Sequence, residues 1–153
     1  MPATSNLPIQ KASEAHYTDI TNVWEASVRA THHFLKEEDI DTFKPLVQHQ
    51  FLKAVDLYFT TDQQGVINGF LGVLDGKIEM LFLHPQARGT GIGKQLLQYA
   101  VTQLGCTLVD VNEQNEQAVG FYKHYGFTVI GRTEKDGLGM PYPLLQMELK
   151  KAQ

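Results

Sequence analysis

The period of the apolar positions changes several times along the chain, and each change marks an element. "LPIQKA" (residues 7–12) predicts a short strand, and Ser13 an N-cap for a helix running to about Thr31. Ile20, Val23, Trp24, Ser27, Val28 and Thr31 fall on one helical face, so that face goes to the core. A second helix starts near Glu37 with acidic residues in its first turn, and Pro45 breaks or restarts it near its end. "VDLYFTT" and "VINGFLGVL" alternate as strands joined by "DQQG", and "LDGK" supplies an Asp-Gly turn into "IEMLFLH". That is a three-strand antiparallel meander over residues 55–84. A helix from about Gly91 to Leu104 follows, then the strand "TLVDVN", the helix "NEQAVGFYKHY" and two closing strands, "FTVIGRTE" and "PLLQMELK".

The order is β-α-α-β-β-β-α-β-α-β-β. A crossover from residues 78–84 through a helix to residues 107–112 makes those strands parallel neighbours. The expectation is α/β: one domain over residues 1–153, with a mixed sheet and helices on both faces.

Composition narrows the function classes. The chain has 153 residues, 42% hydrophobic and 20% charged, which suits one real core. The formal net charge is −4 with no run of Lys or Arg, which speaks against sequence-independent nucleic-acid binding. Cys106 is the one cysteine, so there is no internal disulfide, and a small buried hydrophobe is the plain reading. "MPATSNLPIQ" lacks the basic and apolar regions of a signal peptide, and no apolar run suits a bilayer. A cytoplasmic protein with no membrane partner is expected. His16, His49 and His124 show no ligand spacing, so no metal is expected.

The candidate chemistry starts at "RGTGIGKQLL", residues 88–97. Three glycines alternate into a helical segment. A P-loop would need glycine at position 88 and Ser or Thr at 95, where Arg88 and Gln95 stand. A dinucleotide fingerprint fails too: Gly89 and Gly91 are followed by Gly93, one residue early, after an antiparallel meander. A third reading is a pyrophosphate cradle. Successive amides at a helix N-terminus point outward, the dipole adds positive charge, and Arg88 adds another. The plain alternative is a tight turn with no ligand.

A second motif lies in residues 112–127, "NEQNEQAVGFYKHYGF". Ala118, Phe121, Tyr122 and Tyr125 recur at helical spacing, and Gly126 ends the helix. Phe121 reads as core; Tyr122 carries a hydroxyl that needs a partner if buried. R-x-x-G-x-G (Arg88, Gly91, Gly93) with N-x-x-A-x-x-F-Y-x-x-x-G-F (Asn115, Ala118, Phe121, Tyr122, Gly126, Phe127) resembles the GNAT N-acetyltransferase superfamily over nearly the whole chain. Within it, "THHFL", "VNEQNEQAVGFY" and "PYPLL" resemble the bacterial YjaB-like acetyltransferases. The pattern is specific for the superfamily and not for a substrate.

The resemblance implies a splayed sheet with acetyl-CoA in the gap between residues 78–84 and 107–112. It implies that backbone groups of Leu81, Phe82 and Leu83 hold the pantetheine and polarise the thioester carbonyl. The amides of Gly89, Thr90, Gly91, Ile92, Gly93 and Lys94, beside Arg88, would hold the pyrophosphate, and Asn115 would hydrogen-bond the pantetheine. The implied reaction is direct attack of an amine, with Tyr122 as acid. Glu79, which a period of two puts on the face of Leu81 and Leu83, is the first candidate for the base. Asp110, His32, His33 and a water relay are others; solvent-facing or helix-end roles are the plain readings for Asp110 and the two histidines. The acceptor pocket is expected from the first two helices, the loop "KDGLGMPY" (residues 135–142) and the final strands. The partners are acetyl-CoA and an amine, small or on a protein, and a homodimer is the default assembly. The alternatives are a non-catalytic acyl-CoA-binding or regulatory module on the same fold, and a structural protein with a bare glycine turn. Tyr122 weighs against the first, and acetyl-CoA binding separates out the second.

Overall fold

The structure, a computed structural model, describes residues 8–150. Leu7, which opens the first expected strand, and the residues before it lie outside that range. The rest of that segment contributes β1 (Gln10–Lys11). Ser13 caps a short 3₁₀ turn, Glu14–His16, that runs into α1 (Tyr17–Thr31). There follow α2 (Glu37–Leu46), β2 (Asp56–Thr61), β3 (Ile67–Leu74), β4 (Lys77–Leu83), α3 (Ile92–Thr102), β5 (Leu108–Asn112), α4 (Glu116–Tyr125), β6 (Phe127–Thr133) and β7 (Leu144–Leu149).

The strands form one sheet in the order β1-β2-β3-β4-β5-β7-β6, antiparallel except where β4 meets β5. Neighbouring β3 residues show how the core divides: Phe70 and Leu71 are both fully buried, one in each of two clusters. Phe70 packs with Ile20, Trp24 and Val28 of α1 and with Ile40 and Phe43 of α2. Leu71 packs with Leu96, Leu97 and Ala100 of α3 and with Tyr122 of α4. The period of two thus covers each sheet face with its own helix pair.

Pro45 does not break α2. It lies inside the helix, and the chain passes into a π turn at Val47–Phe51 and a 3₁₀ turn at Leu52–Ala54. Proline has no N–H to give the preceding turn, and the regular α-helix ends one residue later, at Leu46.

Candidate active site

The parallel contact between β4 and β5 is short. Lys77 pairs with Leu108 and Ile78 with Val109, and there the ladder stops. On its other side β4 stays paired with β3 to Leu83, but the register slips: Val73 faces Ile78 and Gly72 faces Met80. Glu79 is the extra residue of this β-bulge. A bulge bends a strand and ends pairing, and here it falls one residue past the last parallel pair. Beyond it the groups of β4 that face β5 have no strand partner. A cleft of about 850 Å³ opens there, lined by Leu81, Phe82 and Leu83 on one wall and Val109, Val111 and Asn112 on the other.

The bulge corrects one expectation. An unbroken period of two would align Glu79 with Leu81 and Leu83. Ile78, Leu81 and Leu83 pack toward α3, while Met80 and Phe82 pack toward α1, so the phase breaks at Glu79. Its exposed side chain borders both the cleft and a second cavity.

The glycine turn closes the far end of the cleft, and its glycines serve two purposes. Gly89 and Gly91 have φ of +79° and +88°, and a Cβ on either would meet open space. They are needed for conformation. Gly93 has an ordinary backbone, but its Cβ would lie 3.3 Å from Leu83 Cδ1 and 3.7 Å from the Phe121 ring. It is needed so that α3 can approach β4 and α4. The amides of Gly89, Thr90, Gly91, Ile92, Gly93 and Lys94 donate to no acceptor among the described residues. Six free donors at the start of α3 fit an anionic group. Arg88 reaches Gln117 on α4 and ties the turn to that helix; nothing in the sequence pattern pointed to Gln117.

Three further predicted residues come together in the cleft. Asn115 caps α4 by accepting from the Ala118 amide at 3.2 Å, which leaves its own amide hydrogens to the cleft. Tyr122 is 6% exposed and packed edge-on against Phe121 and Phe127. Burial raises its pKa above the ordinary phenol range, so it stays protonated. Its hydroxyl has no hydrogen-bond partner among the described residues. Among these residues the sealed polar side-chain atom without a partner is Thr21 Oγ1, so the Tyr122 hydroxyl reaches open cleft. Asp110 also borders the cleft, but Lys77 Nζ lies 2.5 Å from its Oδ2. That ion pair clips β5 to β4 just before they part.

His32 lies at the C-terminal cap of α1 and borders both the cleft and the second cavity. Burial, with the neighbouring His33 charge adding to it, pushes its pKa down to about 4. His33 borders neither space.

The second cavity, about 190 Å³, sits on the α1–α2 side of β4. Trp24, Leu35, Phe43, Val47 and Phe51 make apolar walls; Glu79 and Asp136 bring carboxylates. The cavity shares Glu79, Met80 and Phe82 with the cleft, so β4 stands between the two. Both helices and the 135–142 loop, the segments expected around the acceptor, line it. The final strands β6 and β7 do not; Asn112, at the end of β5, does. Asp136 shapes the loop, accepting from the amides of Leu138 and Met140 at 2.9 and 3.0 Å. Tyr142 fixes it to α2 by donating to Asp39. No local pattern in the sequence signals this bond, which spans 103 residues.

A splayed parallel pair, a cradle of free amides and a buried phenol define a class, and the Acetyltransferase (GNAT) domain family matches residues 31–150. The chain belongs to the GNAT acetyltransferase family and is an acetyl-CoA-dependent N-acetyltransferase acting on an amine. Among its relatives are the peptidyl-lysine N-acetyltransferases YjaB of Escherichia coli K12 and of Salmonella typhimurium. They are 38% and 43% identical over 92% of this chain and 95% and 97% of theirs. The solution structure of apo YjaB from Escherichia coli superposes with a TM-score of 0.86 at 36% identity, covering 95% of this chain and 98% of that one. PaiA N-acetyltransferase from Thermoplasma acidophilum, solved with coenzyme A, shares the fold at a TM-score of 0.72 and 21% identity, covering 94% of this chain and 99% of its own.

Proposed function

We propose that the protein acetylates the ε-amino group of lysine in a peptide or protein. The observation that carries this reading is the meeting of two spaces across β4. One is a cleft with a cradle of free amides; the other is an apolar-walled cavity with carboxylates at its border. The YjaB relatives are peptidyl-lysine N-acetyltransferases, which supports lysine over other amines. Lysine's four-carbon stem suits apolar walls, and its charged head suits Glu79 and Asp136.

In this reading the amides of residues 89–94 and Arg88 hold the pyrophosphate of acetyl-CoA. The unpaired backbone groups of Leu81, Phe82 and Leu83 hold the pantetheine, with Asn115 opposite. One donor from β4 polarises the thioester carbonyl; such a preorganised donor is worth about 3–4 kcal/mol in other enzymes. The lysine ammonium first loses one proton to solvent; the neutral nitrogen then attacks the carbonyl carbon, an N–C bond forms and the C–S bond breaks. One proton leaves nitrogen and one joins sulfur. Glu79 takes the first, directly or through a water, because it borders both spaces while Asp110 is held by Lys77. Tyr122 gives the second, being protonated and unpartnered in the cleft. A cytoplasmic setting belongs to the same reading. Free, buried Cys106 supports it, and no helix among the described residues is long and apolar enough to cross a membrane.

The test is incubation with acetyl-CoA and, in parallel, N-terminally blocked lysine peptides, peptides with a free N-terminus but no lysine, and small diamines, with mass spectrometry of the products. Acetyl on lysine Nε is expected. Acetylation confined to N-termini or diamines would replace lysine as the acceptor. No turnover despite acetyl-CoA binding would favour a non-catalytic acyl-CoA-binding module.

A further inference from the structure

His32 is fixed from several sides. Its amide donates to Val28 O at 2.7 Å, and its carbonyl accepts from the Leu35 amide at 2.9 Å. Its ring lies 5.2 Å from that of Phe34 and 6.2 Å from that of Phe82. The adjacent Thr31 hydroxyl lies 2.8 Å from Ser27 O and 2.7 Å from His32 Nδ1.

Counting protons assigns the tautomer. A hydroxyl has one hydrogen. A carbonyl oxygen cannot donate, so that hydrogen goes to Ser27 O. Thr31 Oγ1 must then accept from His32, which places the ring hydrogen on Nδ1. In the neutral ring Nε2 is left as a bare lone pair. It has no partner among the described residues, nor is it a sealed orphan. His32 lines both the cleft and the second cavity.

From this geometry we infer that His32 is the positioning residue for the acceptor amine: Nε2 accepts a hydrogen bond from the neutral amine and aims its lone pair at the thioester held behind β4. The inference deepens the lysine reading and rests on it for the identity of the amine. Burial makes Nε2 a weak base. It therefore takes no proton from the amine, and deprotonation stays with Glu79. Held this way, the amine waits as a nucleophile rather than as a base-bound cation.

Two variants divide the ring's functions. His32→Asn keeps a donor near the place of Nδ1 and loses the acceptor. His32→Gln carries an acceptor near the place of Nε2 and loses the donor to Thr31. With a blocked lysine peptide as acceptor, His32→Asn is expected to lower kcat about tenfold, the scale of one lost hydrogen bond in the transition state, with the KM for acetyl-CoA unchanged. His32→Gln is expected to stay within about threefold of wild type. A purely structural role at the end of α1 predicts the reverse order, and the reverse order or equal losses would overturn the inference. Nitrogen NMR of the histidine rings gives a reading independent of turnover. At pH 7 His32 should show protonated Nδ1 and bare Nε2, and Nε2 should shift when n-butylamine is added to the CoA-bound protein. The other tautomer, or no shift on saturation, would overturn the inference. A shift without acetylation of the peptide would count instead against lysine as the acceptor.

Discussion

The two sides of β4 are built from different parts of the chain. On the α3–α4 side the site is mostly main chain: six free amides and a strand edge released by a bulge. On the α1–α2 side it is side chains: His32, Glu79, Asp136 and a wall of apolar groups from distant segments. A backbone site accepts many side chains so long as the dihedrals and close approaches hold. A side-chain site changes with every substitution. One scaffold can therefore keep a fixed donor substrate while its acceptor varies.

The sharpest break of this comparison is Tyr122→Phe, because Tyr122 is the side chain on the main-chain wall given a chemical step. The ring and its packing against Phe127 are kept, so folding should persist. The kcat should fall about 10²-fold or more, the range of lost general-acid catalysis, while the Kd for acetyl-CoA moves less than about threefold. Unchanged kcat in a rate-limiting chemical step would remove Tyr122 from the mechanism.

The next largest effect separates the walls by pH. The amides of the cradle do not titrate; His32 does. Its folded pKa, about 4, lies below the ordinary 6.5, so between those values the unfolded chain binds more protons than the folded one. Stability therefore rises with pH through this window and falls on acidification from 6.5 toward 4. The shift corresponds to a loss on the order of 3 kcal/mol. Urea unfolding at pH 7 and pH 4.5 should show it in wild type, and His32→Gln should lack that part of the loss. Equal acid sensitivity in the two proteins would mean the ring is not held neutral.

The same contrast explains what could be read in advance. Element order, the glycine turn and the helix carrying Tyr122 are local: each rests on periodicity or on a residue type that a backbone conformation demands, as Gly91 shows at φ +88°. The bulge at Glu79 has no such signature. It arises because β4 must pair with β3 along its length while leaving β5, and no residue type is required at the slip. The wall of the second cavity joins residues from Trp24 to Tyr142, and the bond between Asp39 and Tyr142 is a tertiary fact. Contacts between segments far apart in sequence leave no period to find.

A milder break of the main-chain wall is Gly91→Val. A side chain in the left-handed region costs about 1–2 kcal/mol, and a Cβ here would point into open space rather than into packing. The Tm should drop only about 2–4 °C for each kcal/mol of that cost. The Kd for acetyl-CoA should rise about tenfold or more as the first turn of α3 shifts its amides. The KM for the acceptor should stay near wild type, measured at saturating acetyl-CoA. If both substrates weaken together, the two walls are not independent.

Tyr142→Phe is the matching change on the other wall and the smallest. The ring stays, so the apolar packing with Phe34 is retained, and one hydrogen bond to Asp39 is lost. Asp39 is half-buried in the first turn of α2 and keeps access to water, so no sealed charge is left behind and the cost should be near 1 kcal/mol. What changes is the tie between the 135–142 loop and α2, and with it the position of Asp136 at the second cavity. The KM for a lysine peptide should rise about two- to fivefold, with kcat and acetyl-CoA binding unmoved. A drop in kcat instead would mean that the loop sets the alignment of the reacting groups, and that the division between a main-chain wall for chemistry and a side-chain wall for recognition is too simple.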